Sequence, residues 1–188
     1  MRKIALFASG SGTNVANIIK YFDDKSIPNQ YLVLVNNPNA KVIEKAQKRN
    51  VPVAIFNREM LNGQEVKRIL DEFAPDLIVL AGFLWKFPEA IIADYPNQII
   101  NIHPALLPKY GGKGMYGHYV HEAVLANNEV ETGITIHYVN EHYDEGGIVF
   151  QQATSVVGCK TWEDIAKEVQ VLEHTYFPVV IEKLLFDE

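Results

Sequence analysis

Short, strongly apolar runs alternate with amphipathic stretches along this chain, and that alternation restricts the fold more than any other feature. Ile4 to Ala8, Tyr31 to Val35, Val53 to Phe56 and Leu77 to Ala81 are apolar almost throughout, the pattern of strands buried within a sheet. Between them lie helical patterns. One is capped by Thr13 or Asn14 and runs to about Phe22, and a second covers Val42 to Arg49. A third covers Glu65 to Phe73, with Val66, Ile69, Leu70 and Phe73 on one face. Strand, helix, strand in this order predicts an α/β fold of Rossmann-like type, with a mostly parallel central sheet flanked by helices.

The later half adds a different element. After a short helix ending near Asp94, Asn97 to His103 is a strand that ends in polar residues and prolines. A glycine-rich stretch, Lys109 to Gly117, leads into a helix from His118 to Ala126. Thr132 to Val139 alternates, with Ile134, Ile136 and Tyr138 on one face, and Ile148 to Val156 pairs with it as an antiparallel arm. Thr161 and Asp164 have capping-box spacing and open a long last helix, which Pro178 is expected to kink. With 188 residues and no linker or repeat, residues 1–188 form one domain, a mononucleotide-binding half over about 1–100 and a catalytic half over about 101–188.

Bulk properties exclude several roles. A formal charge of -6 disfavours a general nucleic-acid or membrane surface, because neither polyanion attracts an acidic body. The apolar run at the N-terminus is shorter than the roughly 7–15 residues of a signal-peptide core. No stretch approaches the roughly 20 apolar residues of a membrane span. The single cysteine, Cys159, cannot form an internal disulfide, which fits the reducing cytoplasm.

Two motifs carry chemistry. Ser9-Gly10-Ser11-Gly12-Thr13-Asn14 joins a strand to a helix, where glycines and free helix amides can approach an anion; a plain turn fits the same residues. The third glycine of a dinucleotide motif is replaced by Val15 and no acid ends the second strand, so a single phosphate monoester is the better ligand. Asn101, His103 and the distal Asp144 on a Gly-Gly loop offer an amide donor, a proton-transfer group and a carboxylate that favours the imidazolium. His118 with His121, and His137 with His142, lack the further ligands of a closed metal site, so no metal is expected. Gly82 to Phe87 places apolar groups beyond a central strand, either as core or as a ligand wall.

Asn101-Ile102-His103-Pro104-Ala105-Leu106-Leu107-Pro108, followed by Asp144-Glu145-Gly146-Gly147, resembles the folate-dependent formyltransferases over nearly the whole chain, and Ser9 to Asn14 resembles members whose acceptor is a phosphoribosyl glycinamide. The resemblance implies direct transfer of a formyl group from 10-formyltetrahydrofolate, a co-substrate, to the glycinamide amine in purine biosynthesis. It implies Asn101, His103 and Asp144 as the catalytic set; Thr135, by its position on the strand before the Asp144 loop, could support the site. Gly12, Thr13, Asn14, Gln170 and Glu173 would hold the ribonucleotide. Arg58, Leu84, Trp85, Lys86, Phe87, Asn101, Asn140, Glu141, His142, Tyr143 and Asp144 would contact the folate. Trp85 departs from the basic residue of bacterial relatives. The partners expected are these two small molecules, with neither nucleic acid nor membrane, for a monomer or weak dimer. Relatives that act on initiator tRNA or hydrolyse the cofactor carry extra domains, which a chain running from first strand to one final helix does not fit.

Overall fold

The computed structural model of the protein describes residues 1–187. The elements in order are β1 (Arg2–Ala8), α1 (Thr13–Asp24), β2 (Asn29–Val35), α2 (Lys41–Gln47), β3 (Val53–Ile55), α3 (Arg58–Asn62) and α4 (Glu65–Phe73). They continue with β4 (Leu77–Leu80), α5 (Glu89–Asp94), β5 (Ile99–His103), α6 (His118–Ala126), β6 (Glu131–Tyr138), β7 (Ile148–Ser155) and α7 (Trp162–Phe186). All seven strands join one sheet in the order β3-β2-β1-β4-β5-β6-β7. Pairing is parallel from β3 to β5, and β6 is antiparallel to both of its neighbours.

The apolar runs form strands because both faces of the sheet are covered. In β1, Ile4, Leu6 and Ala8 face one core with α1, α2, α6 and α7, while Ala5 and Phe7 face a second with α3, α4 and α5. Burying side chains on both faces removes the alternation that a half-exposed strand would show. β6 behaves likewise: Ile134 and Ile136 lie in the core, but Thr135 and His137 on the other face are buried too. The alternation in this strand thus separates two buried faces, one apolar and one polar, and Thr135 and His137 find hydrogen-bond partners on the second.

Local signals explain the helix ends. Thr161 Oγ1 accepts from the Asp164 amide at 3.3 Å and Asp164 Oδ2 accepts from the Thr161 amide at 3.1 Å, closing the capping box of α7. Pro178 is buried within α7, which runs on to Phe186. The cap expected from Thr13 or Asn14 is corrected: Gly12 is the N-cap of α1, in the left-handed region at φ 66°, and no side chain caps it. Arg58 opens the short α3, capped by Asn57 Oδ1 accepting from the Met60 amide at 2.9 Å. Among the described residues no helix is long and apolar enough to cross a membrane.

Candidate active site

From β1 the chain moves to β2 on one side, whereas β4 lies on the other. The loops leaving β1 and β4 therefore diverge, and a crevice opens at the carboxyl ends of the strands. A cavity of about 670 Å³ occupies this position, walled by the loops after β1, β4 and β5 and by the segment before β7. Ser9 stitches the first two loops together. Its amide donates to Gly82 O at 3.1 Å, and its Oγ accepts from the Leu84 amide at 3.0 Å.

Asn101 and His103 point from the end of β5 into this cavity, and Asp144 meets them from the β6–β7 connection. His103, 3% exposed, has Nε2 at 2.7 Å from Tyr110 O and Nδ1 at 3.6 Å from Asp144 Oδ2. Asp144 Oδ2 also accepts from the Gly112 amide at 2.9 Å, and Oδ1 stands 3.6 Å from His137 Nε2. His137 lies directly across the ladder from Asn101. Its Nδ1 donates to Tyr138 O at 2.8 Å, so Nε2 keeps its lone pair and accepts from Asn101 Nδ2 at 3.1 Å. That bond turns the Asn101 amide so that its second N–H remains for the cavity.

Burial pulls the His103 pKa below its ordinary value; Asp144 and the Tyr110 carbonyl oppose this and His137 adds to it. Asp144 thus favours the imidazolium, as expected, but desolvation of the ring outweighs the carboxylate. Burial pushes the Asp144 carboxyl up, but its partners, the His103 ring and the Gly112 amide among them, outweigh it and the pKa ends below the usual carboxylate value. Asp144 itself sits at φ 57°, a backbone strain sustained by these partners. Gly146 makes this loop possible, since a Cβ there would lie 1.7 Å from Tyr138 O.

Gly12, Thr13 and Asn14 line the same cavity with Glu173 from α7. A Cβ on Gly12 would meet Val42 Cγ2 at 2.3 Å, so only glycine admits α2 this close to the loop. Asn14 Nδ2 donates to Glu173 Oε2 at 2.9 Å, while the buried Asn14 Oδ1 has no partner among the described residues. Burial raises the Glu173 pKa, with Asn14 opposing. Gln170 lies outside the cavity wall and approaches Thr13 Oγ1 only at 3.5 Å.

Leu84, Trp85, Lys86 and Phe87 form the opposite wall, with Asn140, Glu141, His142 and Tyr143. Phe87 is also core, edge-on to Phe7 with ring centroids 5.0 Å apart. Lys86 Nζ pairs with Glu89 Oε1 at 3.1 Å. Arg58 is not part of the wall, but its guanidinium carbon lies 4.5 Å from the Trp85 ring centroid, a cation–π contact. A positive charge therefore stands against the Trp85 ring.

Sequence reasoning assigned His121 and His137 only to a rejected metal reading, yet both line the cavity. Pairing His137 against Asn101 across the antiparallel arm was the signal available for it. His121 carried none, because its helix and the cavity meet only in the tertiary fold. Tyr110 was missed because its contribution is a backbone carbonyl. Among the described residues no group of three or more His, Cys, Asp or Glu is arranged to hold a metal ion.

The family model described as "Formyl transferase" matches residues 2–181. A chloroplastic phosphoribosylglycinamide formyltransferase of Arabidopsis thaliana is 38% identical, covering 96% of this chain and 64% of that protein. This chain thus spans less than two thirds of that plant relative. The phosphoribosylglycinamide formyltransferase of Bacillus subtilis (strain 168) is 34% identical, covering 98% and 95% of the two chains. A crystal structure of phosphoribosylglycinamide formyltransferase from Bacillus Halodurans superposes with a TM-score of 0.89 at 33% identity, covering 99% and 96%.

Proposed function

The chain belongs to the formyl transferase family, and from that premise we propose that it moves the formyl group of 10-formyltetrahydrofolate to the glycinamide amine of phosphoribosylglycinamide. The observation that carries this reading is one cavity holding both Asn101, His103 and Asp144 and the Gly12–Asn14 helix start. The former set suits acyl transfer, and free amides at a helix start suit a phosphate.

In the proposed reaction the glycinamide nitrogen attacks the formyl carbon, forming a C–N bond and an oxyanion. Asn101 donates its free Nδ2–H to that oxygen, and His103 stabilises the charge on the side away from Tyr110. Asp144 supports the positive form of His103 and orders a water that carries the amine proton toward the departing folate nitrogen. Breaking the bond to that nitrogen gives tetrahydrofolate and phosphoribosyl-N-formylglycinamide, with no covalent enzyme intermediate. Gly12, Thr13 and Asn14 hold the phosphate, and Glu173, tied to Asn14, faces the ribose or glycinamide. Leu84, Trp85, Lys86 and Phe87 take the folate with the 140–144 loop, and Arg58 and Gln170 contribute from outside the wall. The lone cysteine supports a cytoplasmic setting.

The deciding assay follows formyl transfer from 10-formyltetrahydrofolate with phosphoribosylglycinamide, water and initiator tRNA offered as acceptors. Transfer to phosphoribosylglycinamide is the expected result. Release of formate with no transfer, or transfer to tRNA alone, would overturn the assignment.

A further inference from the structure

Thr135 and Gln151 touch none of the reacting groups, yet hydrogen bonds from the segment after the catalytic strand converge on them. His103, Thr135 and Gln151 sit at one register across β5, β6 and β7. The β5–β6 ladder ends at His103, so the buried backbone of Ala105 and Leu107 has no strand to pair with. Thr135 Oγ1 donates to Ala105 O at 2.7 Å and accepts from the Leu107 amide at 3.0 Å and from Gln151 Nε2 at 2.9 Å. Gln151 Nε2 also donates to Leu107 O at 2.9 Å. One donor and two lone pairs saturate the fully buried hydroxyl.

This segment then supplies both catalytic partners. Tyr110 brings its carbonyl to His103 Nε2, and Gly112 brings its amide to Asp144 Oδ2. Tyr110 holds φ 56°, a conformation that persists only where neighbours enforce it. We propose that Thr135, backed by Gln151, is a positioning residue for His103 and Asp144, acting through the backbone from Pro104 to Gly112. The consequence for catalysis rests on the formyl-transfer reading above, whereas the consequence for the His103 ring does not. With the near end of the segment pinned, the Tyr110 carbonyl selects the Nε2–H form of the neutral ring and leaves Nδ1 toward Asp144.

The test compares Thr135→Val, which keeps shape and loses the hydroxyl, with Thr135→Ser, which keeps the hydroxyl, and with Gln151→Met on the edge strand. Thr135→Val is expected to lower kcat by about tenfold to a hundredfold, the cost of a small misplacement at a reacting centre, with both KM values unchanged. Thr135→Ser should restore kcat, and Gln151→Met should fall between. Imidazole ¹⁵N spectra of the ligand-free protein, assigned with His103→Gln, should show His103 as the Nε2–H tautomer in wild type and as a mixture in Thr135→Val. A folded Thr135→Val that keeps kcat and the wild-type ¹⁵N pattern, or that raises KM alone, overturns the proposal. Should Thr135→Val fail to fold, Gln151→Met decides by the same readouts. Wild-type protein without transfer activity would overturn the functional reading while the ¹⁵N comparison still judges the positioning role.

Discussion

His103 sits between two acceptors, the Tyr110 carbonyl at 2.7 Å and the Asp144 carboxylate at 3.6 Å, inside a wall that strips away its water. A positioned acid–base group contributes roughly 10²–10⁴-fold, so His103→Ala should lose that much turnover while melting like wild type. Near-wild-type turnover in a folded variant would remove His103 from the mechanism. Asp144→Asn keeps size and deletes the charge that pushes the His103 pKa upward against burial. The His103 titration midpoint should therefore move further down, visible by NMR. Turnover should fall on the order of a hundredfold, because less imidazolium is present at neutral pH. A midpoint that stays or rises would uncouple the pair.

Two helix starts do different work at the scale of elements. At α1 the cap is a left-handed glycine crowded by Val42, and no side chain caps the first amides, as the proposed phosphate site requires. Gly12→Val should weaken ribonucleotide binding at least about tenfold, the worth of one charge-assisted hydrogen bond, and disturb folate binding far less. Equal weakening of both ligands in binding isotherms would deny the loop a dedicated phosphate role. At α7 the cap is satisfied internally by Thr161 and Asp164, and here the effect belongs to stability. Thr161→Ala should cost about 1 kcal/mol in denaturant titrations and leave kcat alone.

Taken as a whole molecule, the protein packs α6 against the cavity and so buries His121 beside His103 and His118, with its pKa lowered to about 4, first by burial and then by those two rings. Its Nδ1 has no partner among the described residues. The unfolded chain takes up this proton near 6.5, whereas the folded chain resists until about 4. Between those values the unfolded state binds more protons, so stability rises with pH and is lost on acidification. Urea titrations should show wild type losing about 3 kcal/mol more than His121→Gln on going from neutral pH to pH 4. Identical pH dependence in the two proteins would place the acid sensitivity elsewhere.

How much of this was legible beforehand depended on whether the determinant was local. Strand and helix periods, the Thr161–Asp164 cap and the Asn101-x-His103 spacing lie within a few residues of one another, and the sequence alone determined them. The mostly parallel sheet followed too, because a sheet covered on both faces leaves continuous apolar runs. The tertiary structure decided the rest. Only the antiparallel register sets His137 against Asn101, only the fold-back of the 104–112 segment brings a backbone carbonyl to His103, and only the packing of α7 on α1 ties Glu173 to Asn14. The direction of the His103 pKa shift belongs with these. Sequence supplies the neighbouring carboxylate, but desolvation is a property of everything that closes around the ring, and here it is the larger effect.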